Sequence, residues 1–255
     1  MNSATVRSLL VRGMLAGLAA GLLALLVAYL LGEPQVDAAI AFEDAHAHGH
    51  EDAVEVVGRG VQSTLGLATG VLVYGVALGG IAALAYCFAL GRVGRFGPRA
   101  TALLLSGAAF AAVYFVPFLK YPANPPSVGD PDSIGQRTAL YFLMIALSVL
   151  LTVAAVILGK RLAPRLGNWY ATVAALAAFA VAVGLAYAFL PAVNELPHDF
   201  PALLLWKFRV SALAVQLALW AAFGLLFGEL AERAVRPRGA AAPRGSDGAA
   251  VSSAH

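Results

Sequence analysis

Six apolar stretches separated by short polar segments dominate the pattern of this 255-residue chain. They cover residues 8–31, 61–90, 101–119, 138–158, 169–190 and 210–230. Each has roughly 20 residues or more, the length that an α-helix needs to cross the hydrocarbon core of a bilayer. None shows the short alternating segments of an outer-membrane β-barrel. The pattern predicts an all-α membrane protein, a polytopic bundle of about six transmembrane helices.

Composition supports a membrane protein. The mean hydropathy is +0.80, and 12% of the residues are charged, against about 25% in soluble domains. The first stretch follows Arg7 and Arg12 as a signal peptide would, but its apolar run is longer than the ~7–15 residues of a signal. We therefore expect a retained helix. The single cysteine, Cys87, lies within the second stretch and has no intramolecular disulfide partner.

The basic residues distinguish the two sides of the membrane. With six spans, both termini and the loops 91–100 and 159–168 share one side. This side carries twelve of the seventeen Lys and Arg residues: Arg7, Arg12, Arg92, Arg95, Arg99, Lys160, Arg161, Arg165, Arg233, Arg236, Arg238 and Arg244. Because cytoplasmic loops carry the excess of Lys and Arg, both termini are predicted to be cytoplasmic. Residues 1–235 are predicted to form one membrane domain, and 236–255 a disordered basic tail.

A His-rich acidic run lies in the longest predicted outer loop, residues 32–60. Its sequence, EDAHAHGHED, supplies seven candidate metal ligands: Glu43, Asp44, His46, His48, His50, Glu51 and Asp52. Imidazole binds transition metals well, and carboxylates add negative charge and suit harder cations. The run predicts transient metal capture; the alternative is a solvated loop with chance histidines. His198 and Asp199 form a second candidate on another outer loop, where an ordinary surface is the alternative.

Two proline-rich segments end the third and fifth apolar stretches on the outer side. They read YFVPFLKYPANPP and YAFLPAVNELPHDFP. Proline stops or kinks a helix, and the freed carbonyls are tolerated at membrane depth only in protein or beside a watery cavity. We predict that these Pro-Asn-Pro exits frame a pathway through Lys120, Tyr121, Asn124 and Asn194. Ordinary interfacial helix caps are the alternative.

Few polar residues occur inside the predicted spans. Met144, Ser148 and Thr152 follow one another at i, i+4 and i+8, and the sixth stretch contains Ser211 and Gln216. Thioether, hydroxyl and amide groups could line a cation path. The alternative is hydrogen bonding between helices, with a methionine that fills a gap.

Small residues recur on the first two predicted helices. Glycine stands at 13, 17 and 21 in the first and at 66, 70, 75 and 79 in the second. Such stripes let helix backbones approach closely. We predict that helices one and two pack tightly together; the alternative is a docking face for another subunit.

Motifs of several enzyme classes are absent. The chain has no G-x-x-x-x-G-K-[ST] loop, no H-E-x-x-H and no G-x-S-x-G. No histidine near the centre of a span could hold a haem. We expect neither an enzyme nor a tightly bound cofactor.

Two stretches resemble a known family. VPFLKYPANPPSVGDPDSIGQRTALYF (Val116–Phe142) and LPHDFPALLLWKFRVSAL (Leu196–Leu213) are similar to the CbtA family of probable cobalt transporter subunits. The resemblance implies a bacterial inner-membrane protein associated with cobalt uptake for cobalamin synthesis. It also implies a very small partner, CbtB, with one membrane helix and a His-rich end. Family members are often described with five helices, and the resemblance supplies no ligand set.

Together these observations predict an inner-membrane subunit that admits a divalent transition metal, with Co²⁺ as the expected ion, and that has no ATPase of its own. The lipid bilayer and a CbtB-type subunit are the expected partners, and nucleic acid is not. Two alternatives stay open. One is a non-transporting, metal-binding accessory or scaffold protein, and the other is a permease for a small organic solute.

Overall fold

The computed structural model describes residues 2–46, 58–126, 128, 133–193, 196 and 199–235. The structure is 88% helical and has no strand in these ranges. Eight α-helices and three π-helical turns follow one another: α1 (Ser3–Val27), π1 (Ala28–Gly32), α2 (Glu33–His46), α3 (Arg59–Val61), π2 (Gln62–Gly66), α4 (Leu67–Ala89), α5 (Pro98–Ala109), π3 (Phe110–Phe115), α6 (Val116–Lys120), α7 (Ile134–Phe189) and α8 (Ala202–Val235). The predicted all-α membrane fold is confirmed.

Several elements join end to end into five helices that are long and apolar enough to cross a membrane. Within the described ranges these are Ser3–Ala45, Gln62–Ala89, Pro98–Lys120, Ile134–Phe189 and Ala202–Val235. The predicted fourth and fifth segments, with a predicted loop at 159–168 between them, lie in the single element α7. The prediction of a loop there was wrong because Pro164 is accommodated within the helix, and only Gly167 leaves helical geometry, with φ 75° and ψ 163°.

The break at Gly167 turns α7 into a hairpin of two arms. A Cβ atom built on Gly159 would lie 3.4 Å from the Cβ of Ala175, and Met144 shares a hydrophobic cluster with Val183. A straight helix would separate residues 144 and 183 by about 58 Å at ~1.5 Å per residue. The two arms are therefore antiparallel neighbours. Six membrane crossings, rather than five, stay a prediction that depends on this hairpin.

The first helix is longer than predicted. It continues through π1 into α2, so residues 33–46 of the predicted outer loop are helical. The reason is tertiary contact: Ala39 is buried with Phe200 and Val128, and the Phe42 ring packs edge-on against Phe200 at 5.2 Å between centroids. Packing against the segment that leads into α8 stabilises helical turns that the polar sequence alone did not predict.

Antiparallel packing of α1 against α4 and α8 builds the main core. Gly13 lies opposite Gly79, and Gly17 lies opposite Gly75, which confirms the predicted packing of the first two helices. On α8, Phe223 and Phe227 stack at 5.2 Å, and Phe227 meets Tyr86 of α4 edge-on at 5.0 Å. Most of these glycines thus lie against another helix of the same chain, so they leave little surface on which another subunit could dock.

Candidate functional site

The first proline-rich exit is fixed to the second arm of α7. Helix α6 ends at Lys120, and Tyr121 leaves helical geometry with φ −126° and ψ 76°. The Lys120 ammonium donates to the carbonyl oxygen of Tyr187 at 2.8 Å, and the Tyr121 hydroxyl donates to the carbonyl of Pro191 at 2.8 Å. Burial raises the pKa of Tyr121 above its ordinary 10.0, so this hydroxyl stays protonated and can donate at neutral pH. The two exits are therefore joined to each other.

Two guanidinium groups hold the carbonyls beyond Tyr121. Arg137 donates to the Pro122 carbonyl at 2.5 Å. Arg209 of α8 donates to the Ala123 carbonyl at 3.3 Å and to the Asn124 side-chain oxygen at 3.2 Å. Carbonyls that proline deprives of helical partners thus gain charged donors, as buried backbone groups require. We call Lys120, Arg137 and Arg209 the cation collar. It places three basic side chains against the carbonyls at this end of the bundle.

The stripe on α7 lies deeper and is engaged in packing. Met144 is fully buried beside Val116 and Val183. The Ser148 hydroxyl, also fully buried, donates to the carbonyls of Ala112 in π3 and, at 3.0 Å, of Ile145. Thr152 donates to the Ser148 carbonyl at 2.7 Å. In this conformation the stripe joins α7 to π3, and its use as a cation path stays a prediction.

Helix α8 places Ser211 and Gln216 on its outer half. The Ser211 hydroxyl donates to the Leu31 carbonyl at 2.8 Å. The side-chain oxygen of Gln216 is buried and has no hydrogen-bond partner. The indole nitrogen of Trp220, one turn further along α8, is also buried without a partner. Gln216 reaches towards the Tyr74 hydroxyl of α4. Among the predicted pathway residues that the structure describes, Gln216 has a buried side-chain oxygen without a hydrogen-bond partner.

Sequence analysis did not single out Arg137 and Arg209 as site residues. Their guanidinium groups hold the carbonyls and the amide of the first exit. An arginine near the start of each helix that follows a proline-rich exit was the available signal.

The His-rich acidic run begins at the outer tip of α2. Glu43 and Asp44 are exposed there, and His46 is the last residue of the helix. The other members of the run, His48, His50, Glu51 and Asp52, lie outside the described residues, as do Asn194 and His198; Asp199 is described and exposed. Glu43 and His46 follow Gly32 by eleven and fourteen positions, so the described part of the run lies roughly 16–21 Å beyond the end of π1.

The described side chains form no ready-made metal centre. No group of three or more His, Cys, Asp or Glu that could hold a metal ion occurs within the described ranges. The seven candidate ligands of the run and the pair at 198–199 therefore stay predictions. For the described members, Glu43, Asp44 and His46, the structure adds their place at the end of α2.

Comparison with known proteins gives one match. A family described as "Probable cobalt transporter subunit (CbtA)" matches residues 6–232. No curated protein and no solved structure matches the chain. The matched range starts before the apolar part of α1 and ends within α8, so it includes every helix of the bundle.

Proposed function

The chain belongs to the CbtA family of probable cobalt transporter subunits, and from this premise we propose that it is the inner-membrane subunit through which Co²⁺ enters the cell. The match over residues 6–232 carries the proposal, because it covers the whole helical bundle. The chain is a non-enzymatic subunit that relies on partners for energy coupling. A small His-rich membrane protein of the CbtB type is the expected partner.

The His-rich acidic run acts as the capture element in this proposal. Its position at the tip of α2, roughly 20 Å beyond π1, lets it meet ions before they approach the bundle. Four carboxylates around three imidazoles raise the local concentration of divalent cations. The ligands lie on one short segment and fix no closed coordination set, so binding is weak and the ion is passed on.

The cation collar sets the electrostatic condition for entry. One unit charge repels Co²⁺ at ~10 Å by about 0.8 kcal/mol in a water-like dielectric, and by several times more in protein. The negative run above the collar offsets this repulsion. An ion that passes between the two Pro-Asn-Pro exits then reaches Met144, Ser148, Thr152 and Gln216, which we propose as the deeper pathway.

Cobalt uptake by cells tests the proposal. Cells that lack their own cobalt uptake would be given the full chain, alone and with a small His-rich partner, and the accumulation of radioactive cobalt would be measured. We expect cobalt uptake that depends on the chain. No uptake in either combination, with the protein present in the membrane, would favour an accessory role. Transport of an organic solute without metal would favour the permease alternative.

The run itself is tested by replacing His46, His48 and His50 together with alanine. A capture element matters when metal is scarce, so we expect slower uptake at the lowest cobalt concentrations and wild-type rates at high concentration. Imidazole binds metal only when neutral, so the advantage of the wild type should vanish as the pH falls through roughly 6. Equal uptake by the two proteins at the lowest concentration would reduce the run to a solvated loop.

A further inference from the structure

A groove lies between the two arms of α7, towards the end of the hairpin that carries its turn. The first arm lines it with six residues between Leu151 and Arg161, and the second arm lines it with Ala178, Phe179 and Ala182. Its volume of about 420 Å³ is within the range of small-molecule sites. Four of the nine lining residues are alanine, so short side chains leave space that larger ones would fill.

The groove has the depth of one leaflet of a bilayer. Leu151 follows Ile134 by 17 residues and precedes Gly167 by 16, so it lies at the middle of the first arm. Arg161 lies ten residues further along, about 15 Å towards the turn. Half of the ~30 Å hydrocarbon core is also about 15 Å. An acyl chain along the groove would therefore extend from the middle of the membrane to its boundary, whereas a membrane-crossing partner helix would need a contact twice as long.

The boundary end of the groove is basic. Helix α7 contains no Asp or Glu, and Lys160, Arg161 and Arg165 follow directly on its apolar stretch. Lys160 donates to the Arg92 carbonyl at 2.8 Å, which brings the equally acid-free residues 90–97 to this end of the hairpin. The Arg161 side chain is exposed and lines the groove. A guanidinium at this depth matches the phosphate of a lipid headgroup in charge and in bidentate geometry.

The surroundings of the groove are apolar and exposed. The arms touch at Gly159, where an added Cβ would lie 3.4 Å from the Cβ of Ala175. Helix α7 packs against π3 and α6, while Val153, Ile157 and Leu176 are exposed at the level of the groove. A helix that is apolar on its exposed faces is typical of a membrane span, and lipid covers those faces.

We propose that this groove binds one acyl chain of an anionic phospholipid, whose headgroup phosphate is held by Arg161. The inference goes beyond cobalt entry and depends on the predicted crossing of the membrane by both arms of α7. A lipid seated between the arms fills the space that the alanines leave, and it binds the hairpin only when the arms are together. It therefore stabilises the hairpin.

Photolabelling by lipid tests the headgroup contact. The full chain would be reconstituted in phosphatidylcholine vesicles that contain a small fraction of phosphatidylglycerol with a photoreactive group in its acyl chain. We expect labelled residues within 151–161 and 178–182. Arg161→Gln should lower this labelling about fivefold, as loss of one basic side chain beside an anionic lipid predicts. Photoreactive phosphatidylcholine should label the wild type weakly and should not respond to Arg161→Gln.

Arg7→Gln is the matched control for charge. Arg7 is exposed on α1, which packs against α4 and α8. This variant loses the same unit of charge from the same end of the molecule, and its labelling of α7 should equal that of the wild type.

A second pair of variants tests the groove itself. Ala178→Leu fills it with a larger side chain and should lower the phosphatidylglycerol labelling by a similar factor. Ala177→Leu is the control, because Ala177 is the next residue on the same arm, is exposed and does not line the groove. Both variants change an exposed position, so wild-type melting temperatures in lipid-free detergent would confirm that they fold.

Two results would overturn the proposal. Equal labelling by both lipids, with wild-type labelling of Arg161→Gln, would show that the groove does not recognise an anionic headgroup. A disulfide between two copies of the Ala178→Cys protein, in a Cys87→Ala background, would assign the groove to contact with a second copy of the chain.

Discussion

Glycines, whose side chain is a single hydrogen atom, set the distance between α1 and α4. A Cβ on Gly75 would lie 2.6 Å from the Gly17 carbonyl oxygen, and one on Gly13 would lie 2.6 Å from the Gly79 oxygen. Gly70 has nothing within 4 Å of such a Cβ. Glycines with the same sequence spacing therefore differ in role, because the crossing point of the two helices includes some of them and not others.

At the residue scale we predict that Gly75→Ala destabilises the protein. A methyl group there must push the two backbones apart, and overpacking of this kind costs about 1–3 kcal/mol. Gly70→Ala is the matched control on the same helix and should be neutral or slightly stabilising, since alanine favours helix. Thermal unfolding of both variants in detergent checks this. Equal melting temperatures would show that the helices separate without cost.

One break in helical geometry decides the shape of α7, the longest helix of the described chain. Helix α7 continues through Pro164, and its arms part only at Gly167, where φ is 75° and ψ is 163°. That region of backbone space is almost confined to glycine. The hairpin brings the second arm to Tyr121 and Lys120, whose hydrogen bonds to Pro191 and Tyr187 join the exits. The geometry of the outer end thus depends on a turn at the opposite end of the hairpin.

We therefore expect Gly167→Ala to weaken the hairpin by about 1–3 kcal/mol, because an L side chain strains this conformation. Gly184→Ala is the control: Gly184 lies within the second arm in helical conformation, with nothing within 4 Å of an added Cβ. The measurement is thermal unfolding, together with protease sensitivity at the turn. A wild-type melting temperature for Gly167→Ala would mean that the arms do not depend on this residue.

The exit segment gives a second prediction at the scale of elements. Asn124→Ala removes one of the two acceptors of the Arg209 guanidinium, the side-chain oxygen 3.2 Å away, and leaves the Ala123 carbonyl. We expect a folded protein with reduced cobalt uptake, because a guanidinium held by one bond is freer to move its charge into the path of the ion. Asn168→Ala, at the exposed turn of α7, should transport normally. Wild-type uptake by Asn124→Ala would reduce the segment to a plain helix cap.

Charge polarity predicts the orientation of the whole molecule. Arg12 donates to the Leu230 carbonyl at 2.6 Å near the end of α8, and Glu229 pairs with Arg99 and Arg233 at the same end. The acidic tip of α2 and the cation collar lie at the other end. The excess of Lys and Arg at the first end favours its retention in the cytoplasm.

Impermeant thiol reagents test this orientation in intact cells. In a Cys87→Ala background, a cysteine placed at Ala47 should be labelled from outside. A cysteine in place of His255 should react only after the membrane is permeabilised, because six crossings return the C-terminus to the cytoplasm. Protection at position 47 together with labelling of the tail would reverse the orientation. Labelling at both positions in intact cells would support five crossings.

Hydropathy and charge along the chain were sufficient for the class of fold. The free energy of burying an apolar helix in lipid is a sum over neighbouring residues, so the segments that become spans are encoded locally. The same holds for the predicted approach of α1 and α4, since only small residues permit it. The resemblance over Val116–Phe142 and Leu196–Leu213 likewise depends on local order and led to the family that the comparison shows.

Tertiary structure decided the features that depend on contacts between residues far apart in the sequence. The length of α2 depends on Phe42 meeting Phe200, which is 158 positions away in the chain. The cation collar combines side chains from α6, α7 and α8, and their meeting depends on the rotation and register of those helices. Lys120, Arg137 and Arg209 are unremarkable in their own segments. Only the packing of these helices brings them to the carbonyls of the two exits.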